Sequence, residues 1–138
     1  MDQTLTLAPR HPAQDARALG LGGEELASQW YTSRGYEILA RNWTWRGGEL
    51  DIVACREGTI VFCEVKARSS RAFGEPPEAV GPLKQARLRR SAAAWFAQQA
   101  CRASDGLVTT TGRRRGGPVR FDVACVFGWR VEVLEGAF

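Results

Sequence analysis

Two carboxylates and a lysine stand in the spacing Asp51…Glu64-Val65-Lys66. Apolar, β-branched runs at 50–55 and 60–65 flank Arg56-Glu57-Gly58-Thr59, which is the signal of a β-hairpin, though Glu-Gly is weaker than Asn-Gly. A two-residue loop at Glu57-Gly58 makes Arg56 face Thr59. Counting back from the loop, Asp51 then faces Glu64 and Glu49 faces Lys66. Residues directly opposite share a sheet face with Cβ atoms about 4.5–5.5 Å apart. Lys66, two residues past Glu64, points to the same side. A slip of one residue would undo the arrangement.

Two such carboxylates repel. At about 4 Å and an effective dielectric of about 20, the cost is roughly 4 kcal/mol unless a proton or cation lies between them. Oxygen ligands in an incomplete cage suit Mg²⁺, or Mn²⁺ in its place. The nearby ammonium could orient or activate a water, or stabilise developing negative charge. The plainer alternative is an exposed strand face with Glu49–Lys66 as a weak surface pair.

The elements that must hold these residues follow from the rest of the chain. Its 138 residues, 44% of them hydrophobic, support one domain with a real core. A net charge of +4 and a pI of about 9.2 make a polyanion partner plausible. The four cysteines form no CxxC pair and His11 is the only histidine. Zinc binding and His-activated nucleophiles are therefore disfavoured, and a reduced, cytoplasmic setting with buried thiols is expected. No apolar run spans a bilayer and no signal core is seen, so no membrane partner is expected.

Residues 1–20 read as a mobile tail, and 21–138 as a single domain. A helix is predicted over 22–34, with Ala27, Trp30, Tyr31 and Arg34 in helical spacing and Gly35 as its stop. Glu24 and Glu25 suit its first turn, and Glu24 could lean toward whatever that face packs on. A strand over 36–43 leads through Trp43–Gly48 into the hairpin; Trp43 and Trp45 suit either base stacking or core packing. The loop after Lys66 carries Arg68 and Arg71, either phosphate contacts or solvated charges. A second helix spans 82–101, with Pro82 at its first position. Lys84, Arg87, Arg89 and Arg90 crowd its start as a nucleic-acid footprint or a solvated face. Gln85 lies on its inward side and needs a partner. The segment 103–117, with Arg113-Arg114-Arg115, reads as a loop, and strands follow at 120–127 and 130–134. The order is α-β-β-β-α-β-β, an α/β fold with a mixed central sheet flanked by helices, closed by a parallel crossover through the second helix.

Gly23-Glu24-Glu25-Leu26-Ala27, Gly35–Asn42, Gly48-Glu49-Leu50-Asp51 and Val61–Arg68 resemble the bacterial YraN-like family. The similarity continues through Phe73–Val80, Lys84-Gln85, Arg120–Val123 and Ala137-Phe138. That family resembles the restriction-endonuclease-like PD-(D/E)xK nucleases, which include archaeal Holliday-junction resolvases. The resemblance implies a restriction-endonuclease-like fold in which Asp51, Glu64 and the Val65 carbonyl bind Mg²⁺ or Mn²⁺ and Lys66 is the catalytic lysine. Glu24 matches the helical acid of resolvase-like members, and Gln85, with Lys84 beside it, the polar position on the following helix. Glu-Leu-Asp replaces the signature Pro-Asp but keeps the acid. The expectation is a metal-dependent endonuclease acting on branched or damaged DNA, through Arg68, Arg71, Lys84, Arg87 and Arg90 as phosphate contacts, with a homodimer allowed for. The alternative is a non-catalytic nucleic-acid-binding or interaction module that keeps the fold.

Overall fold

The computed structural model of the chain describes residues 2–6, 22–68, 80–104 and 117–138. Six strands and two helices follow in the order β1 (Asp2–Thr6), α1 (Gly23–Ser33), β2 (Glu37–Trp45), β3 (Gly48–Arg56), β4 (Thr59–Arg68), α2 (Pro82–Ser104), β5 (Val119–Phe127) and β6 (Arg130–Leu134). They build one mixed sheet in the spatial order β1-β6-β5-β4-β3-β2. The only parallel pair described is β4 with β5, joined through α2 as the crossover expectation required.

The α/β class and the mixed sheet are as expected. The first strand was not: Asp2–Thr6 lies within the segment read as a mobile tail, yet it pairs antiparallel with β6. An edge strand needs only main-chain pairing, and Asp-Gln-Thr-Leu-Thr carries little apolar alternation to announce it. The element order is therefore β-α-β-β-β-α-β-β.

Alternating strand residues separate two cores. Val61, Cys63, Ala124 and Val126 pack with Leu26, Ala27, Trp30 and Tyr31 of α1. Ile60, Phe62, Val123 and Cys125 pack with Leu88, Ala92 and Trp95 of α2. The helices thus cover opposite faces of the sheet. α1 ends where Gly35 takes φ 85. There the Tyr36 N–H donates to the Tyr31 carbonyl and the Gly35 N–H to the Thr32 carbonyl, a Schellman closure. α2 runs past the predicted 101 to Ser104.

The imperfect alternation of β2 has a physical cause. Its register against β3 shifts between Ile38 and Ala40, a bulge that turns Ile38 to the α1 core and Leu39 and Ala40 to the α2 core. The strand also runs past the predicted end at Trp43 to Trp45, into the segment read as a turn. Trp43 Nε1 donates to Gln98 and Trp45 Nε1 to Ser91, both on α2. Both tryptophans are half-buried against α2, as the packing reading expects.

Cys63 and Cys125 are buried as expected, but Cys55 is half-buried and Cys101 exposed; all four are free thiols. Among the described residues no helix is long and apolar enough to cross a membrane.

Candidate metal and acid site

The hairpin register is the one deduced from the turn. Arg56 pairs with Thr59, Cys55 with Ile60, Ala54 with Val61, Val53 with Phe62 and Ile52 with Cys63. Glu57 and Gly58 both have positive φ, 50 and 82, which is the type I′ geometry that matches strand twist.

The ladder ends at Ile52–Cys63, one step before Asp51 and Glu64. Neither Asp51–Glu64 nor Glu49–Lys66 is a ladder pair, a correction to the expectation of direct opposition. Instead Asp51 Oδ2 accepts the Val65 N–H at 2.8 Å, a donor that the Leu50 carbonyl would otherwise take in the same register. Extended backbone sends a residue's N–H and C=O toward the same neighbour, so the Val65 carbonyl leaves β4 on the side where the ladder has opened.

Asp51 and Glu64 nevertheless remain together. Burial, the Glu64 charge, a side-chain hydrogen bond with Glu64 and the Glu24 charge raise the Asp51 pKa to about 7, against the lowering effect of the Val65 N–H. Glu24 arrives from α1 on the other face of the sheet. Gly23 makes this approach close, since a Cβ there would come within 3.2 Å of Val65 and 3.3 Å of Val126. Glu24 thus adds a weaker negative charge from α1 to the Asp51–Glu64 pair.

Lys84, read from the sequence as a phosphate contact and as a neighbour of the Gln85 position, meets Glu64: its Nζ lies 2.6 Å from Oε2, so its charge is directed into the site. A cation in a helical first turn that holds no acid runs against the helix dipole, and that was the available signal. Gln85 finds its partner in the Val80 carbonyl, 2.7 Å from Nε2. Lys66 is half-buried on β4, and Arg87 and Arg90 are exposed on α2. Glu25 is held by Arg41 at 2.6 Å, away from the acid pair. The Arg68 side chain, Arg71 and Arg113–Arg115 lie outside the described residues.

The donors suit a hard divalent cation: carboxylate oxygens from Asp51 and Glu64, a main-chain carbonyl, and a pair whose repulsion such a cation would relieve. Among the described residues no group of three or more His, Cys, Asp or Glu side chains is placed to hold a metal ion. The arrangement is an open, two-carboxylate site, of the kind Mg²⁺ takes with several of its waters retained.

A second polar centre escaped the sequence reading. Asp122, with no exposed surface, accepts from Tyr31 Oη at 2.6 Å, from Arg120 Nε at 2.8 Å and from the Gly136 N–H at 2.9 Å. Arg120 also donates to Tyr36 Oη at 2.8 Å and pairs with Glu135 at 3.1 Å. Burial pushes the Tyr31 hydroxyl and the Cys63 thiol well above their ordinary pKa values, so both stay protonated. This network fastens α1, the turn between α1 and β2, and the C-terminal turn to β5. Every carboxylate oxygen of Asp122 is satisfied within the protein, which marks it as structural.

The fold and site define a mixed α/β protein with an open acid pair at the end of a central hairpin. The family model described as "Uncharacterised protein family UPF0102" matches residues 23–126, and the chain belongs to that family. Among similar proteins, a UPF0102 protein of Acidothermus cellulolyticus is 47% identical over 131 residues, 91% of this chain and 97% of the relative. One from Parafrankia sp. is 41% identical over 128 residues, 89% of this chain and 98% of the relative. One from Syntrophomonas wolfei is 53% identical over 76 residues, 55% of this chain and 66% of the relative. The matched span contains Glu24, Asp51, Glu64, Lys66 and Lys84.

Proposed function

We propose that this chain is a metal-dependent nuclease of restriction-endonuclease-like fold that hydrolyses DNA phosphodiester bonds, with branched or damaged DNA as its substrate. One observation carries the reading: Asp51 is buried beside Glu64, and burial first, then the Glu64 and Glu24 charges, raise its pKa to about 7. Structural carboxylates are normally paired with cations or N–H donors until their pKa falls. A carboxyl pushed the other way by burial and by neighbouring acids is poised for a cation.

In this reading Asp51, Glu64 and the Val65 carbonyl hold Mg²⁺ or Mn²⁺, which when bound supplies Lewis-acid polarisation and charge for a phosphoryl oxygen. Asp51 is oriented by the Val65 N–H. Lys66, on the same strand face as Glu64, supplies positive charge to the developing phosphorane oxygens or orients the attacking water. Arg87 and Arg90 face outward from α2 and meet the phosphate backbone.

A second reading, a nucleic-acid-binding module without cleavage, is favoured by the Lys84–Glu64 contact, because Glu64 already has a cation against it. Labelled junction, flap and duplex DNA incubated with Mg²⁺, Mn²⁺ or EDTA separate the two. The nuclease reading expects metal-dependent nicking that Lys66→Ala abolishes while the variant stays folded and still binds DNA. Binding without nicking of any substrate by the wild type supports the module instead.

A further inference from the structure

Lys84 occupies a position that its own helix disfavours. It sits in the first turn of α2, where the unpaired N–H groups already carry positive charge and no acidic residue of the helix offsets them. Its ammonium reaches across to Glu64 Oε2 at 2.6 Å. The two ends of that contact differ: the Glu64 side chain is 11% exposed and the Lys84 side chain 49%. The acid is enclosed, whereas the lysine reaches it on a flexible stem from solvent and can withdraw without moving α2.

We propose that Lys84 is a built-in place-holder cation, seated on Glu64 until a divalent metal takes that carboxylate and then released to meet a phosphate oxygen of the nucleic acid. The inference rests on the metal-site reading above. Without a metal, the Asp51 and Glu64 carboxyls from adjacent strands stand beside each other at the opened end of the ladder. Lys84 offsets this by neutralising Glu64. A metal bound to the same carboxylate makes that neutralisation redundant and repels the ammonium. The displaced charge stays tethered beside the acids, where a phosphodiester must approach. Metal arrival and phosphate contact are then linked events, and the metal affinity of the free protein is held down by the ion pair that has to break.

The test is calorimetric titration of Mn²⁺ into the full chain, as wild type, Lys84→Met and Lys84→Gln, each first checked for fold by circular dichroism. The Met variant keeps the stem without the charge; the Gln variant serves if the Met variant does not fold. The proposal expects the neutral variants to bind Mn²⁺ about tenfold more tightly than the wild type, since one ion pair no longer competes. Equal or weaker binding by the variants overturns the place-holder and leaves the metal site standing. No Mn²⁺ binding by any of the three overturns the metal site itself, and the place-holder with it. A second arm measures affinity for a labelled duplex in a Lys66→Ala background. Removing Lys84 should weaken DNA binding more in Mn²⁺ than in EDTA. An equal loss in both conditions, or none in Mn²⁺, overturns the release.

Discussion

Asp51 concentrates the chemistry of this chain in one side chain. Its carboxyl is desolvated and faces Glu64 and Glu24, and the single Val65 N–H does not offset them. Its pKa stands at about 7 in the folded chain against 3.8 for an ordinary aspartate. Between those values the folded state keeps a proton that the unfolded state has given up. The stability this contributes is complete below about pH 4 and is lost as pH rises through about 7. Metal-free protein should therefore become less stable from pH 4.5 to 7.5, and Asp51→Asn, which keeps an oxygen for the Val65 N–H, should lose that part of the slope. Urea unfolding at several pH values measures it; parallel profiles for the two proteins would show that Asp51 is an ordinary aspartate. If Asp51 is a metal ligand as proposed, the same linkage makes metal affinity rise across this window, because the ligand form is the deprotonated one. The nearness of Asp51 to Glu64 was legible in the sequence because hairpin register is arithmetic once the turn is located, although the ladder opens one step before the pair. The Lys84–Glu64 contact was not, because a crossover helix can land over a sheet in several ways that spacing along the chain does not distinguish.

The hairpin β3–β4 sets the site, and its turn sets the hairpin. Type I′ geometry needs positive φ at both central residues, which glycine adopts freely and glutamate does not. Glu57, exposed at φ 50, bears that cost. Glu57→Asn should stabilise the protein by about 0.5–1 kcal/mol without shifting the register, since asparagine tolerates the left-handed region. An unchanged or lowered urea midpoint would contradict the turn assignment. α1 and α2 were readable from apolar spacing and from Gly35 and Pro82, which act through local geometry. β1 was not, because its pairing with β6 is supplied by the main chain. The bulge in β2 surfaced in the sequence only as faulty alternation, whose cause lies in two cores competing for adjacent residues.

At the scale of the molecule, two cores on opposite sheet faces are locked together by a polar centre at Asp122. Removing that carboxylate leaves Arg120, the Tyr31 hydroxyl and the Gly136 N–H without their buried partner. Asp122→Ala should cost about 3–5 kcal/mol, read as a large fall in urea midpoint; a loss below about 1 kcal/mol would mean the network is incidental. Strand alternation puts Asp122 on the face opposite Phe121 and Val123 but does not show what it meets there, since Tyr31 lies 91 residues away. The fold is thus well secured around a site whose acids repel, and the central claim is that a divalent cation completes it. Stability in the absence of metal does not separate the readings, because Lys84 neutralises Glu64. The metal response does. A cation that binds only the native state stabilises it by roughly 2.7 kcal/mol at a hundredfold excess over Kd, or several degrees of Tm for a domain of this size. Thermal melts of the wild type and Glu64→Gln in EDTA and in Mn²⁺ are the direct measurement. The account predicts an upward Mn²⁺ shift in the wild type that Glu64→Gln lacks; a wild type whose melting is the same in Mn²⁺ as in EDTA would contradict it.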